Sequence, residues 1–336
     1  MKKIMALGIL CLVLLSFNAG AGWQKIWDGP VGAVVVKHEL NITETGLAYP
    51  DGFLVKDETR LFATRSDTGD IYRYTGTGDQ WQKIGNPGRM FVTAGHTLAD
   101  PDRLYGLDPA GMGVHRFRGT PDDWTQVGYA AAEIYGGGDK LYATNPDTGD
   151  IYEYTGTADL WVKIGGPGKM FATAGGNLLG GTEYPYHIKP SKLYGLSPDG
   201  VGIWEYSGTP EQWNRVSKGR PYSQICGGGY LLLAIGSSTG DVYKYGGEPN
   251  TWLQISEPVE MLAVDPYYAF SLSGSEAALY RLKQLPDGSK VSRYDFSADQ
   301  WRLIPTARFE EISAIYAGGG ELYVVPAHGS LFQYVD

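Results

Sequence analysis

Residues 61–85 read LFATRSDTGDIYRYTGTGDQWQKIG, and residues 141–165 read LYATNPDTGDIYEYTGTADLWVKIG. The likeness continues to residues 99 and 179, with 26 of 39 positions identical at a constant offset of 80. This is internal duplication, and the wording of the repeat shows what is duplicated. Leu141-Tyr142-Ala143-Thr144, Ile151-Tyr152-Glu153-Tyr154 and Met170-Phe171-Ala172-Thr173-Ala174 use β-favouring residues in period two, so each reads as a strand. Between the first two lies Asp147-Thr148-Gly149-Asp150, where glycine supplies the positive φ of a tight hairpin. No segment shows a convincing helical period.

Outward from this pair, the closing element of the unit recurs at Trp23, Trp81, Trp124, Trp161, Trp213, Trp252 and Trp301, at a mean spacing of about 46 residues. Four strands in that length form one blade of a β-propeller. A lone blade cannot bury both of its faces, whereas seven around an axis each lie between two neighbours. The chain opens on a Trp-type strand, Trp23 to Trp27, and ends on a Tyr-type strand, Leu331 to Val335. The expected fold is therefore all-β, a seven-bladed β-propeller of four-stranded antiparallel blades. Its ring is closed by the N-terminal strand pairing into the last blade, which protects an open edge. The blades are expected at 31–84, 88–127, 131–164, 168–216, 222–255, 258–304 and 308–335 with 23–27, their Trp and Tyr residues filling the layers between blades.

Composition agrees. Of 336 residues 43% are hydrophobic and 19% charged, which excludes a disordered chain and a small disulfide scaffold, and 48 glycines serve many tight turns. Residues 1–21 hold Lys2 and Lys3, an apolar run from Ile4 to Leu15, and small residues Ala19 and Ala21 before a cut. This reads as a cleavable signal peptide, too short in its apolar run for the roughly 20 residues of a membrane span. The domains are thus 1–21, signal peptide, and 22–336, propeller, with a secreted or periplasmic product and no membrane insertion after cleavage. Removing the signal takes the formal charge from −9 to −11, which argues against nucleic acid. Cys226 is then the sole cysteine, so stability comes from packing rather than a disulfide, and its setting beside Gly227-Gly228-Gly229 reads as a buried strand thiol. Asn41-Ile42-Thr43 matches a glycosylation acceptor by chance.

The recurring Trp-x-x-Ile-Gly, apolar strand, Leu-Tyr-Gly/Ala and Ile-Tyr-x-Tyr resemble the tectonin and tachylectin-like propeller family across residues 22–336. The residues carrying the resemblance are Trp81, Leu104-Tyr105-Gly106 and Phe117, then Trp161, Leu193-Tyr194-Gly195 and Tyr206. Many members of that family are lectins with sugar pockets between adjacent blades, so the resemblance implies glycan binding. The chain departs from the family in alternating its units in pairs and in the insertions that interrupt several blades.

Chemical motifs are few. Gly236-Ser237-Ser238-Thr239-Gly240 matches a nucleophile elbow in letters but aligns with the Asp67-Thr68-Gly69 and Asp147-Thr148-Gly149 turns, so it reads as a hairpin. Gly165-Gly166-Pro167-Gly168-Lys169 lacks the spacing and hydroxyl of a phosphate loop and reads as a connection between blades. His38, His96, His115, His187 and His328 fall in different units at no metal-ligand spacing, and the Asp67/Asp70 and Asp147/Asp150 turns lack a calcium-loop pattern, so neither metal nor cofactor is expected. Glu39, Glu133, Glu260, Asp265, Glu310 and Glu311 fall in or beside innermost strands, where a facing pair would suit glycoside hydrolysis, but charged groups lining a solvated channel are the favoured reading.

The first hairpin is tight in units three, five and seven but long in one, two, four and six. The long loops share one face and carry Tyr49, Tyr184, Tyr186, Tyr267 and Tyr268 with Pro50, Pro185 and Pro266. The leading expectation is a non-catalytic, monomeric, secreted lectin whose partners are glycans. Its candidate binding residues are Trp81, Trp124, Trp161, Trp213, Tyr105, Tyr194, Tyr184 and Tyr186. The alternatives are a scaffold that docks a protein partner on its long-loop face and a hydrolase using axial carboxylates.

Overall fold

The computed structural model describes residues 22–44, 53–94, 103–137, 140–174, 178–179, 187–188, 192–228, 231–265, 278–318 and 321–335. One apolar position in the third strand of each unit, Ile71, Val114, Ile151, Ile203, Val242, Val291 and Leu331, is buried in all seven, as expected of sheets packed between neighbours. Those units are seven four-stranded antiparallel sheets, each in simple meander order apart from the last. The first blade holds Val31–Glu44, Phe53–Arg65, Ile71–Tyr74 and Trp81–Gly85. The second holds Met90–Thr93, Leu104–Leu107, Val114–Phe117 and Trp124–Gly128. The third runs Ile134–Gly137, Lys140–Thr144, Asp150–Tyr154 and Trp161–Pro167, and the fourth Met170–Ala174, Lys192–Leu196, Ile203–Tyr206 and Trp213–Arg215. The fifth runs Tyr222–Gly228, Leu231–Gly236, Val242–Tyr245 and Trp252–Ser256. The sixth comprises Met261–Val264, Leu279–Leu285, Gly288–Asp295 and Gln300–Ile304.

The seventh blade takes Ile312–Gly318, Glu321–Pro326 and Leu331–Val335 from the end of the chain and Gly22–Trp27 from its beginning. Trp23 lies opposite Tyr334 and Trp27 opposite Leu331, so the N-terminal strand closes the ring as the sequence pattern expects. The first strand of every blade touches the first strand of the next, and that of the seventh touches that of the first, which places them innermost around the axis.

Hairpin chemistry sets the register. In the turns between second and third strands, Gly69, Gly111, Gly149, Gly200 and Gly240 have φ from 72° to 76°, a region a side chain rarely tolerates. Gly240 sits in the Gly236–Gly240 segment, so the elbow-like motif is a hairpin and Ser238 an exposed turn residue. The turn acids also have structural partners. Asp70 and Asp150 pair with Lys83 and Lys163 at 2.8 and 2.9 Å, and Asp67 with Arg65 at 2.6 Å.

Two expected long loops are partly strand. In the first blade the opening hairpin continues as a ribbon from Lys37 opposite Arg60 to Glu44 opposite Phe53. In the fourth, Leu178 and Leu179 pair with Ile188 and His187. Tyr49, Tyr184, Tyr186, Tyr267 and Tyr268, like residues 1–21, lie outside the described residues. Among the described residues no helix is long and apolar enough to cross a membrane.

The blades pack in pairs. The sulfur of Met90 accepts the Ile134 N–H at 3.2 Å, and those of Met170 and Met261 accept the Ile225 and Ile315 N–H groups at 3.3 Å, so even blades grip the following odd ones. The glycine-rich inner strands of the odd blades allow this approach. A side chain at Gly136 or Gly227 would collide with the carbonyl oxygen of Thr93 or Thr173 on the neighbouring blade.

Candidate functional site

A tryptophan at the start of each outer strand carries an indole N–H, and a half-buried N–H must find an acceptor. All seven find it on the preceding blade. Trp81 donates to the Ile26 carbonyl at 2.6 Å, Trp124 to Ile84 at 2.8 Å, Trp161 to Val127 at 3.0 Å and Trp213 to Ile164 at 2.8 Å. Trp252 donates to Val216 at 3.1 Å, Trp301 to Ile255 at 2.7 Å and Trp23 to Pro305 at 2.6 Å, which completes the circle. At four joints the same carbonyl also accepts a backbone N–H, from Asp122, Asp159, Glu211 or Asn250. Those four residues have φ between 61° and 66°, so a left-handed residue two places before the tryptophan aims its amide at the neighbour. The Gly-Thr-x-Asp/Glu-x-Trp wording of 119–124, 156–161 and 208–213 is the sequence signal of this double clasp.

Each tryptophan also stacks on the aromatic residue opposite it in its own blade. The tilted pairs Phe117–Trp124, Tyr154–Trp161 and Tyr206–Trp213 have centroids 5.0 to 5.2 Å apart. The expected ligand platforms Trp81, Trp124, Trp161 and Trp213 are thus braced on one ring face and committed at the indole N–H, and their shared role is to join blades. Tyr105 and Tyr194 are also placed otherwise than as open platforms. They are only 3% and 4% exposed, on second strands between blades, and meet Tyr154 and Tyr245 edge-on at 6.3 and 6.2 Å. Tyr184 and Tyr186 lie outside the described residues.

One of these tryptophans does border open space. Between the fourth and fifth blades, Trp213, Asn214 and Arg215 on one outer strand and Val216 just after it face Tyr245, Gly247 and Pro249 across a cleft of about 480 Å³ that Lys192 and Glu205 also line. Glu205 stands opposite Tyr194 in the sheet. Lys192 Nζ meets its Oε1 at 2.8 Å, and the Tyr194 hydroxyl donates to its Oε2 at 3.0 Å, so the carboxylate is fixed and its charge balanced. Burial, with Glu205 and Glu248 nearby, pushes the Tyr245 phenol up to about 12, which keeps it an O–H donor at neutral pH. Arg215 donates from Nε to the Ser217 carbonyl at 2.7 Å and lies 5.7 Å from the Trp204 ring.

The cleft offers an aromatic ring, an amide and a held carboxylate, a set suited to hydroxyl-rich ligands, while the Arg215 guanidinium is taken up by the Ser217 and Val201 carbonyls. Its lining has a single carboxylate and no Ser, Cys or His, so it lacks the pair of acids that glycoside hydrolysis requires. Tyr245 and Glu205 escaped the sequence reading. Their signal was the last Tyr of Tyr243-Lys244-Tyr245 and the residue facing Leu193-Tyr194, legible only once blade neighbours are known.

Of the axial acids, Asp265 is buried, while Glu133, Glu260, Glu310 and Glu311 are exposed and Glu133 accepts the Tyr135 hydroxyl. The Cys226 thiol is pushed up to about 12 by burial, as a packed strand thiol should be. Among the described residues no three His, Cys, Asp or Glu side chains gather as a metal site.

No family model matches this chain, and no curated protein does. Solved structures resemble it in fold. One described as the Niastella koreensis GH74 enzyme has a TM-score of 0.58 at 10% identity, covering 92% of this chain and 53% of its own. YCF48 bound to D1 peptide has a TM-score of 0.55 at 9% identity, covering 94% and 97% of the two chains. BBS1N in complex with ARL6DN has a TM-score of 0.52 at 13% identity, covering 93% and 97%. At these identities the likeness is one of seven-bladed propeller architecture, which hosts many functions.

Proposed function

We propose that the protein is a non-catalytic binding propeller, exported through residues 1–21, and that the cleft between its fourth and fifth blades takes a saccharide. The observation that carries this reading is the cleft itself. Tyr245 offers an aromatic surface and a protonated hydroxyl, while Glu205 and Asn214 offer acceptors and a donor around one open groove. The tectonin-like wording of the repeats supports the same class of ligand. The test is a glycan array probed with residues 22–336, followed by titration of each binder. Tyr245→Ala should weaken selective binding at least tenfold and Glu205→Gln severalfold without loss of the melting transition. A blank array, or binding indifferent to Tyr245, overturns the reading.

A second reading, docking of a protein, is favoured by the ribbon of the first blade, whose strands run 13 and 14 residues where the other inner strands run four to seven. YCF48 and BBS1N, similar in fold, were solved with a D1 peptide and ARL6DN respectively. In that case capture of the partner survives Tyr245→Ala and is lost when the ribbon is removed.

A further inference from the structure

Across its second, third and outer strands each blade lays a row of three side chains, and the charge of the middle one varies around the ring. It is a cation in the first, second, fifth and sixth blades and Gln333 in the seventh, while the third and fourth carry an acid, Glu153 and Glu205. Lys140 pairs with Glu153 at 2.6 Å as Lys192 pairs with Glu205 at 2.8 Å, so that frame is shared. The outer residue differs, with Val162 opposite Glu153 and Asn214 opposite Glu205. Of the seven rows, that of the fourth blade sets an amide beside a carboxylate, and there the cleft opens.

Hydrogen-bonding capacity remains on this wall. Lys192 Nζ donates to Glu205 Oε1, and the Tyr194 hydroxyl, kept protonated at neutral pH by burial and by Glu205, donates to Oε2. A carboxylate oxygen accepts two bonds, so each oxygen keeps one site, and Lys192 keeps two of its three N–H donors. Asn214 is exposed and adds amide donors beside Glu205. Donor, acceptor and donor therefore line the cleft as Lys192, Glu205 and Asn214, and the charges of the ion pair cancel.

We propose that the cleft selects an uncharged saccharide by two adjacent ring hydroxyls, both donating to the Glu205 carboxylate while Lys192 and Asn214 donate to their oxygens. The proposal rests on the saccharide reading of this cleft and names the part of the sugar that it recognises. A hydroxyl is donor and acceptor at once, and two neighbours on a ring stand side by side as the two carboxylate oxygens do. Methylating one hydroxyl removes its donor and leaves a site on Glu205 unpaired, a loss that a hydrogen-bonding pocket punishes more than a hydrophobic one does. Charge on the sugar gains nothing, since an acid would meet Glu205 and an amine would meet Lys192.

The test is calorimetric titration of the folded chain with the methyl glycosides of glucose, galactose and mannose, each compared with its 3-O-methyl and 6-O-methyl derivatives. Both adjacent hydroxyl pairs of these sugars include the 3-hydroxyl and neither includes the 6-hydroxyl. The best binder should lose about tenfold or more on 3-O-methylation and less than about threefold on 6-O-methylation. Glu205→Gln should shrink the first ratio to about twofold. Asn214→Val, which gives the exposed position the residue that the third blade carries, should weaken the parent glycoside severalfold with an unchanged melting transition.

Equal loss on methylation at the two positions, or a 3-O-methyl ratio that survives Glu205→Gln, overturns the proposal. If it falls while a glycan from the array still depends on Tyr245, the cleft reading stands without the diol. Failure of all three glycosides overturns the proposal, and a blank array with it overturns the saccharide reading as a whole. Adenosine, whose ribose also carries adjacent hydroxyls, serves as the rival source. Its binding more tightly than every glycoside, with the same dependence on Glu205, overturns the saccharide assignment in favour of a nucleoside.

Discussion

A single indole does two jobs at each joint, filling space within its own blade and donating across to the previous one. Trp161 shows how these separate. Its ring packs on Tyr154, while its N–H goes to the Val127 carbonyl, which also accepts the Asp159 amide at 3.0 Å. Trp161→Phe keeps the ring and leaves the carbonyl one partner, so it should cost only about 1 kcal/mol. Trp161→Ala removes the packing as well and should cost about 3 kcal/mol, both read from urea midpoints. Equal costs would show that the N–H, not the ring, carries the joint. Gly165 lies beneath the next indole, where a Cβ would stand 2.6 Å from Trp213 Nε1. Gly165→Ala should therefore cost about 1 to 3 kcal/mol by overpacking, although the residue looks like a harmless strand end.

Elements were more legible than joints. The strand order, the closure by Trp23-Gln24-Lys25-Ile26-Trp27 and blade limits within four residues follow from alternation and turn residues, which are local properties. The destinations of the indole N–H groups are not local. Trp81 reaches back 55 residues and Trp213 back 49, and nothing in Trp-x-x-Ile-Gly says which carbonyl waits there. For the same reason Tyr105 and Tyr194 looked available as platforms, since period two tells which residues share a face but not what the next blade lays over it. The ribbon of the first blade is the element whose removal is most informative. Lys37 opposes Arg60, so joining them through Asn-Gly should leave a normal hairpin over the buried Val34, Leu61 and Phe62. The expected outcome is an unchanged far-UV spectrum and a melting temperature within a few degrees of the parent. A collapse of the melting transition would make the ribbon part of the core.

At the scale of the whole ring, tyrosine burial ties stability to alkaline pH. Burial raises the phenols of Tyr105, Tyr154, Tyr194, Tyr222, Tyr316 and Tyr323, and pushes that of Tyr245 up to about 12. In the unfolded chain tyrosine ionises near 10. Below that pH both states hold the proton and the stability is intact. Above it the unfolded chain releases protons that the ring retains, so stability falls as pH climbs through 10 toward the folded values. Melting temperatures should drop steadily between about pH 9 and about pH 11, and a flat profile would falsify the idea that these hydroxyls stay sealed between blades. The seventh blade adds a different constraint, one of timing. More than 300 residues separate Trp27 from its partner Leu331. At ribosomal rates of about 5 to 20 residues per second, the first strand waits roughly 15 to 60 s before the strand it must pair with exists. Gln24 and Lys25, exposed in the closed ring, keep that waiting segment from being apolar throughout. Leu331–Val335 is thus the latch that turns six finished blades and a loose end into a circle.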